Sequence, residues 1–212
     1  GTVTGDSSGN GHTGTLINGP TWITGKVGMA LNFDGANDYV SVSNIPVTTE
    51  QTISVWINPR SGGSGDIGRI LVKGGFNSQL RMSYVTGVQF IGDCDGNNVV
   101  KTRNKTLTAN AWNFVAVTWN GLCGANAMIT WLINGITYSS TNLGSGNKVV
   151  GNTYLRVGYS STTFDGLIDE MRIYNRVLSA QEIYDIYSNT SSTPTPTPTP
   201  TPLPGPPGPP GP

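Results

Sequence analysis

From Gly14 onward, short runs of alternating apolar and polar residues are separated by clusters of Gly, Asn, Asp, Ser and Pro. Runs of this length and spacing are strands, and their regular recurrence is the pattern of an all-β sandwich or jelly roll. The alternation predicts strands at Val27–Phe33, Tyr39–Ser43, Thr52–Asn58, Arg69–Val72, Gln79–Tyr84, Val88–Ile91, Val99–Arg103, Trp112–Trp119, Met128–Ile133, Ile136–Ser140 and Tyr154–Gly158. Asn134-Gly135 falls between two of these, and both residues tolerate the positive φ of a type I′ hairpin turn. Asp34-Gly35-Ala36-Asn37-Asp38 reads as another hairpin turn. One phase of the central strands supplies the core: Ile53, Val55 and Ile57, then Val115, Val117 and Trp119, then Ile129, Trp131 and Ile133. Trp56 and Trp112 fall on the other phase, as second-layer packing or as exposed aromatics.

The stretch from Phe164 to Tyr187 organises the rest. From Gly166 to Tyr174, strict alternation puts Leu167, Asp169, Met171 and Ile173 on one face and Ile168, Glu170, Arg172 and Tyr174 on the other. Ser179 and Glu182 have the spacing of a capping box, and Ile183, Ile186 and Tyr187 give one apolar face to a short helix. That helix has to lean on a sheet.

Composition narrows the functional classes. Twelve basic residues balance twelve acidic ones over 212 residues, with no basic cluster, which removes the electrostatic basis for binding nucleic acid or an anionic membrane. No apolar run is long enough to span a bilayer, so no membrane insertion is expected in this segment. The chain opens on Gly1-Thr2-Val3 without the pattern of a signal peptide, as a mature or partial chain would. The two cysteines, Cys94 and Cys123, each lie in a Gly-rich polar loop; they read as one disulfide in an oxidising compartment, with two free thiols as the alternative.

After Asn189 the composition changes. Five Thr-Pro pairs run from Thr193 to Pro202 and cannot pair into a sheet or form a helix, because proline lacks the donor and fixes φ. At about 3.1 Å per residue, Thr193 to Pro212 would reach roughly 60 Å as a polyproline II rod. Thr193, Thr195, Thr197, Thr199 and Thr201 are candidate O-glycan acceptors. Gly205, Gly208 and Gly211 then keep the every-third-residue spacing of a collagen triple helix, so a homotrimer with globular heads is expected, with an ordinary Pro-rich tail as the alternative. The organisation is a globular domain over 1–189, a Thr-Pro linker over 190–204 and a collagen-like segment over 205–212.

Five segments, in order, resemble laminin-G-like domains of the concanavalin A-like lectin/glucanase superfamily. They are Asp6-Ser7-Ser8-Gly9-Asn10-Gly11-His12-Thr13-Gly14-Thr15-Leu16, Ala30 to Val40, Ile53-Ser54-Val55-Trp56-Ile57, Trp112 to Trp119, and Asp165 to Leu178 with its Ser-x-x-Glu helix. The fold this implies is an all-β, two-sheet antiparallel jelly-roll sandwich with one short C-terminal helix. The resemblance also implies a structural calcium ion held between the Asp6 loop and the closing strand, with oxygen ligands from Asp6 and Asp169 and around Asn10, His12 and Thr15. An oxygen-rich loop of this kind suits calcium; an Asx-turn with a separately satisfied Asp169 is the competing account. Family members open with an apolar strand before the Asp-Ser-Ser-Gly-Asn loop, whereas only Gly1 to Gly5 precede it here. The expectation is a strand supplied by an upstream segment or by a neighbouring chain.

Catalysis is not expected. The glucanases of this superfamily carry Glu, Asp and Glu at alternate positions of one strand, and glycoside hydrolysis needs two carboxylates across one bond. Asp169 and Glu170 are adjacent, and Glu182 already has a capping role. His12 sits in a glycine-rich loop without a relay. The reading is an extracellular, cell-surface head for adhesion or recognition of a carbohydrate or a surface protein, with Arg81, Tyr84, Tyr159 and Phe164 as candidate contacts. The alternative is a filament or pilus subunit joined to its neighbours by strand donation.

Overall fold

The computed structural model describes residues 2–43, 45, 48–61, 67–73, 78–83, 87–94, 97–103, 107–143, 154–158 and 162–191. In chain order the strands are β1 (Val3–Thr4), β2 (Gly14–Ile17), β3 (Thr21–Thr24), β4 (Met29–Asp34), β5 (Tyr39–Val42), β6 (Gln51–Pro59), β7 (Ile67–Lys73), β8 (Ser78–Ser83), β9 (Gly87–Cys94), β10 (Asn97–Arg103), β11 (Asn113–Trp119), β12 (Gly124–Ile133), β13 (Ile136–Leu143), β14 (Leu155–Val157) and β15 (Asp165–Tyr174). Helix α1 (Ala180–Ser191) follows. The strands form two antiparallel sheets, of eight strands in the order β1-β2-β5-β14-β7-β8-β9-β10 and of seven in the order β13-β12-β11-β6-β15-β4-β3.

The core between the sheets holds all nine expected residues, from Ile53 to Ile133, together with Phe33, Phe90, Phe164 and Ile168. β6 and β11 lie in the middle of their sheet and are buried on both faces, which accounts for their near-continuous burial. Their outer face carries a second apolar cluster of Trp56, Phe114, Ala116 and Leu132, closed by Leu178 and Ile183, with Trp112, Tyr174, Ile186 and Tyr187 partly buried against it. Trp56 is therefore second-layer packing: its ring stacks on Tyr187 at 5.7 Å between centroids, and its Nε1 donates to Thr190 Oγ1 at 2.8 Å. The helix is capped as its sequence predicts, with Ser179 N donating to Glu182 Oε2 at 2.8 Å and Glu182 N to Ser179 Oγ at 3.2 Å.

The hairpin Ile133–Ile136 turns through Asn134 and Gly135, both at positive φ as a type I′ turn requires. Three expectations need correction. Strict alternation along β15 fails, because the register slips between Asp169 and Arg172 and Glu170 takes φ +48°. A bulge moves the phase by one residue, so Ile168, Met171 and Ile173 all reach the core while Asp169 and Tyr174 take the outer side with Trp56. Asp34–Asp38 is an Asx-turn, with Asp34 Oδ1 accepting from Ala36 N at 2.8 Å. It is not a hairpin, because β4 and β5 lie in different sheets and this turn carries the chain between them. Phe164, expected as a surface contact, is fully buried and meets Phe33 edge to face at 6.4 Å.

Candidate functional site

Burial fixes the faces of β5 and β14. Val40, Val42, Leu155 and Val157 point into the core, so the period-two alternation sends Tyr39, Ser41 and Arg156 to the outer face of the eight-stranded sheet. Arg156 pairs across the ladder with Ser41 on one side and Val72 on the other, and Ser41 pairs with Thr15. Tyr154 precedes Arg156 by two residues and shares its face. The guanidinium carbon of Arg156 lies 5.4 Å from the Tyr39 ring centroid and 5.3 Å from that of Tyr154. A cation held against two aromatic rings is attracted by their quadrupoles, and it orders both rings while its fork of donors stays directional. Tyr39, Arg156 and Tyr154 are each only partly buried. The alternation in Tyr39-Val40-Ser41-Val42 and Tyr154-Leu155-Arg156-Val157 announces which side chains share a face. That the two strands are neighbours, more than a hundred residues apart in sequence, is what the linear pattern could not reveal.

The five residues expected around calcium fall on three parts of the chain: the loop before β2, β2 itself and β15. In the loop between β1 and β2, Asp6 Oδ1 accepts from Ser8 N at 2.9 Å and Asp6 Oδ2 accepts from His12 N at 2.9 Å and from Ser8 Oγ at 2.8 Å. These bonds, the His12 amide first, pull the Asp6 carboxyl down to about 2. Asn10 joins the same network through Ser8 Oγ, and Thr15 lies on β2 facing Val3 and Ser41. Asp169 belongs to the opposite sheet. Its Oδ2 accepts from Val27 N at 2.9 Å and its Oδ1 from Glu170 N at 2.8 Å. Burial raises its pKa and those amides pull it back. Gly25 makes this approach possible, because a Cβ there would lie 2.5 Å from Asp169 Oδ2. Each carboxylate is thus engaged by amides of a separate segment, and no group of three or more His, Cys, Asp or Glu side chains among the described residues is placed to hold a metal.

Cys94 ends β9 and is bonded to Cys123, in the loop before β12, with the Cα atoms 6.1 Å apart. The bond ties the eight-stranded sheet to the seven-stranded one. Arg81 lies on β8, while Tyr84, Tyr159, the Thr-Pro run and the collagen-like triplets fall outside the described residues. Asp169 accepts from backbone amides, while Glu170 pairs with Arg172. Among the described residues no helix is long and apolar enough to cross a membrane.

A laminin-G family model described as the concanavalin A-like lectin/glucanases superfamily matches residues 34–184. The chain belongs to this superfamily. Among curated proteins no sequence match is found. Solved structures share the fold at low identity. The binding domain of Paraclostridial Mosquitocidal Protein 1 superposes with a TM-score of 0.71 at 16% identity, over 87% of this chain and 49% of that one. Domain 4 of AbnA, an extracellular GH43 arabinanase from Geobacillus stearothermophilus, solved with arabinotriose, gives 0.63 at 19% identity over 85% of this chain and 91% of that one. The binding domain of botulinum neurotoxin DC, solved with SialylT, gives 0.67 at 12% identity over 87% and 48%. The chain thus spans about half the length of the two toxin binding domains.

Proposed function

We infer that this chain is a non-catalytic recognition head that binds glycans through the outer face of its eight-stranded sheet, at Tyr39, Arg156 and Tyr154. The observation that carries this reading is the arginine held against two tyrosine rings on a partly exposed sheet face. Tyrosine rings offer apolar faces to the C–H side of a sugar and hydroxyls to its rim, and an arginine fork bonds hydroxyl or carboxylate oxygens in a fixed plane. The fold is one that other proteins use for binding: AbnA domain 4 was solved with arabinotriose and the neurotoxin domain with SialylT. The absence of catalysis agrees with the carboxylates in view. Glu182 is committed to the helix cap and Arg176, Glu170 to Arg172, and Asp169 to backbone amides.

The head works outside the cell, in keeping with its Cys94–Cys123 bond. The linker after Ser191 holds it away from its anchor, and the Gly-Pro-Pro triplets at 205–212 gather heads into trimers, so that weak single contacts add up by avidity. The test is a glycan array probed with the full chain and with Arg156→Ala and Tyr39→Ala. Sugars bound by the parent and lost at least tenfold in both folded variants support the reading. Undiminished binding in both, or no bound sugar at all from a folded parent, overturns it.

A further inference from the structure

Four asparagines of the chain are followed directly by glycine: Asn10-Gly11, Asn18-Gly19, Asn120-Gly121 and Asn134-Gly135. Asparagine is a thermolabile residue, and most so before glycine, which has no Cβ to hinder attack of its backbone nitrogen on the side-chain amide. Two of the four pairs end the same tetrapeptide, Leu-Ile-Asn-Gly at 16–19 and at 132–135. Conformation, not flanking sequence, therefore decides which pair can react.

Attack requires the nitrogen of the next residue to lie on the same side as Cβ about the Cα–C bond. Asn18 and Asn134 have φ of 65° and 49°, in the left-handed region, where a ψ of about +47° turns that nitrogen directly away from the side chain. Their carboxamides are also tied to other segments: Asn134 Oδ1 accepts from Phe114 N at 2.7 Å, and Asn18 Nδ2 donates to Asn37 O at 2.9 Å. Asn120 is held at both ends of its amide, with Oδ1 accepting from Met128 N at 2.9 Å and from Leu122 N at 3.3 Å, and Nδ2 donating to Asn126 O at 2.9 Å. Gly121 beside it is buried so tightly that a Cβ would lie 1.9 Å from Thr49 O, which leaves its nitrogen no room to swing. Asn10 has none of these restraints. It is exposed, its φ is not positive, and its carboxamide bonds to Ser8 Oγ, two residues away in its own loop, at 3.0 Å. Nothing lies within 4 Å of the Cβ position of Gly11.

We propose that Asn10 is a site of spontaneous deamidation through a cyclic imide, which converts the loop between β1 and β2 to an acidic form as the protein ages. The Gly11 nitrogen attacks Asn10 Cγ, and the new C–N bond closes a succinimide ring. The side-chain nitrogen leaves as ammonia, carrying the proton that Gly11 N gives up. Water then opens the ring at one of its two carbonyls. One opening leaves aspartate at position 10, and the other leaves isoaspartate, whose backbone runs through the former side chain and is one methylene longer. Either product adds a negative charge to a chain whose twelve basic residues balance twelve acidic ones. The longer backbone falls between Asp6 and His12, whose bond at 2.9 Å closes the loop, so the isoaspartyl form loosens the entry to β2. The proposal is independent of the recognition reading, and its test does not involve a ligand.

The test is peptide mapping by mass spectrometry of the full chain held in warm, mildly alkaline buffer, folded and, in parallel, in denaturant. Enzymatic methylation of the isoaspartyl carboxylate tells that product from aspartate, and near-ultraviolet circular dichroism checks that the folded samples stay folded. In denaturant the four Asn-Gly pairs should convert at comparable rates. In the folded chain Asn10 should convert at least tenfold faster than Asn18, Asn120 and Asn134, and faster still at higher pH, because the attacking nitrogen must lose its proton. Asn10→Gln, whose longer side chain cannot close the same ring, should abolish conversion at that position and leave the folded rates of the other three unchanged. An Asn10 that converts no faster than the other three in the folded chain overturns the proposal. So does one that stays intact while the denatured chain converts.

Discussion

Asp169 is both the carboxylate that holds backbone amides and one of those expected around calcium, and Asp169→Asn separates the two roles. The carboxylate accepts two backbone N–H bonds, at 2.9 Å from Val27 and 2.8 Å from Glu170. Asparagine keeps the shape but leaves a single acceptor, and turns an N–H₂ towards one of the two amides. A hydrogen bond to a charged group contributes about 1.5–3 kcal/mol, and an orphaned buried donor costs a further 1–3 kcal/mol or so. Burial already raises the pKa of Asp169, so relief of charge desolvation offsets part of that loss, leaving a net cost of about 2–4 kcal/mol. In a domain of this size that lowers Tm by roughly 4–16 °C. Gly25→Ala should act in the same direction, because its Cβ would press on Asp169 Oδ2 at 2.5 Å and on Ala30 N at 2.8 Å. Thermal melts of parent and variants, each in excess calcium and in excess chelator, decide the matter. Both variants should melt lower than the parent, with the chelator changing none of the three curves. A parent that loses stability on chelation, beside an Asp169→Asn chain indifferent to it, would make the carboxylate a metal ligand and refute the clasp.

Phe164→Ala should cost about 3–5 kcal/mol, since the ring is fully buried against Phe33; urea unfolding measures it, and a variant that lost ligand with unchanged stability would contradict the core assignment. Replacing Cys94 and Cys123 by alanine should cost roughly 3–4 kcal/mol, from the closure entropy of a loop with 29 residues of separation; denaturant midpoints at constant slope check it. Acid should weaken the Asp6 loop and the helix cap together, because the Asp6 and Glu182 carboxyls are each held at about 2, below their ordinary 3.8 and 4.5. Their contribution is fully present above those ordinary values and is lost as pH falls through the folded ones. Chemical-shift titration of both side chains should show midpoints near 2, and midpoints at ordinary values would remove the effect.

Much was legible in the linear pattern, for physical reasons that operate within a few residues. The nine core positions of β6, β11 and β12 follow from alternation alone. The Ser179–Glu182 cap and the Asn134-Gly135 turn follow from side-chain and φ preferences that involve no distant partner. Other features depended on contacts between segments far apart. Alternation along β15 broke at Glu170 because Asp169 turns aside to hold the Gly25–Gly28 turn, some 140 residues earlier in sequence. Phe164 reads as a loop aromatic but closes on Phe33, which enters the core from another strand. Tyr39 and Arg156 each show their face in the sequence, but only the pairing of β5 with β14 makes them neighbours. Local preference is settled by a residue and its near neighbours, so composition and period reveal it. A binding face or a bulge depends on which strand lies beside which, and that is decided only when the two sheets close around their shared core.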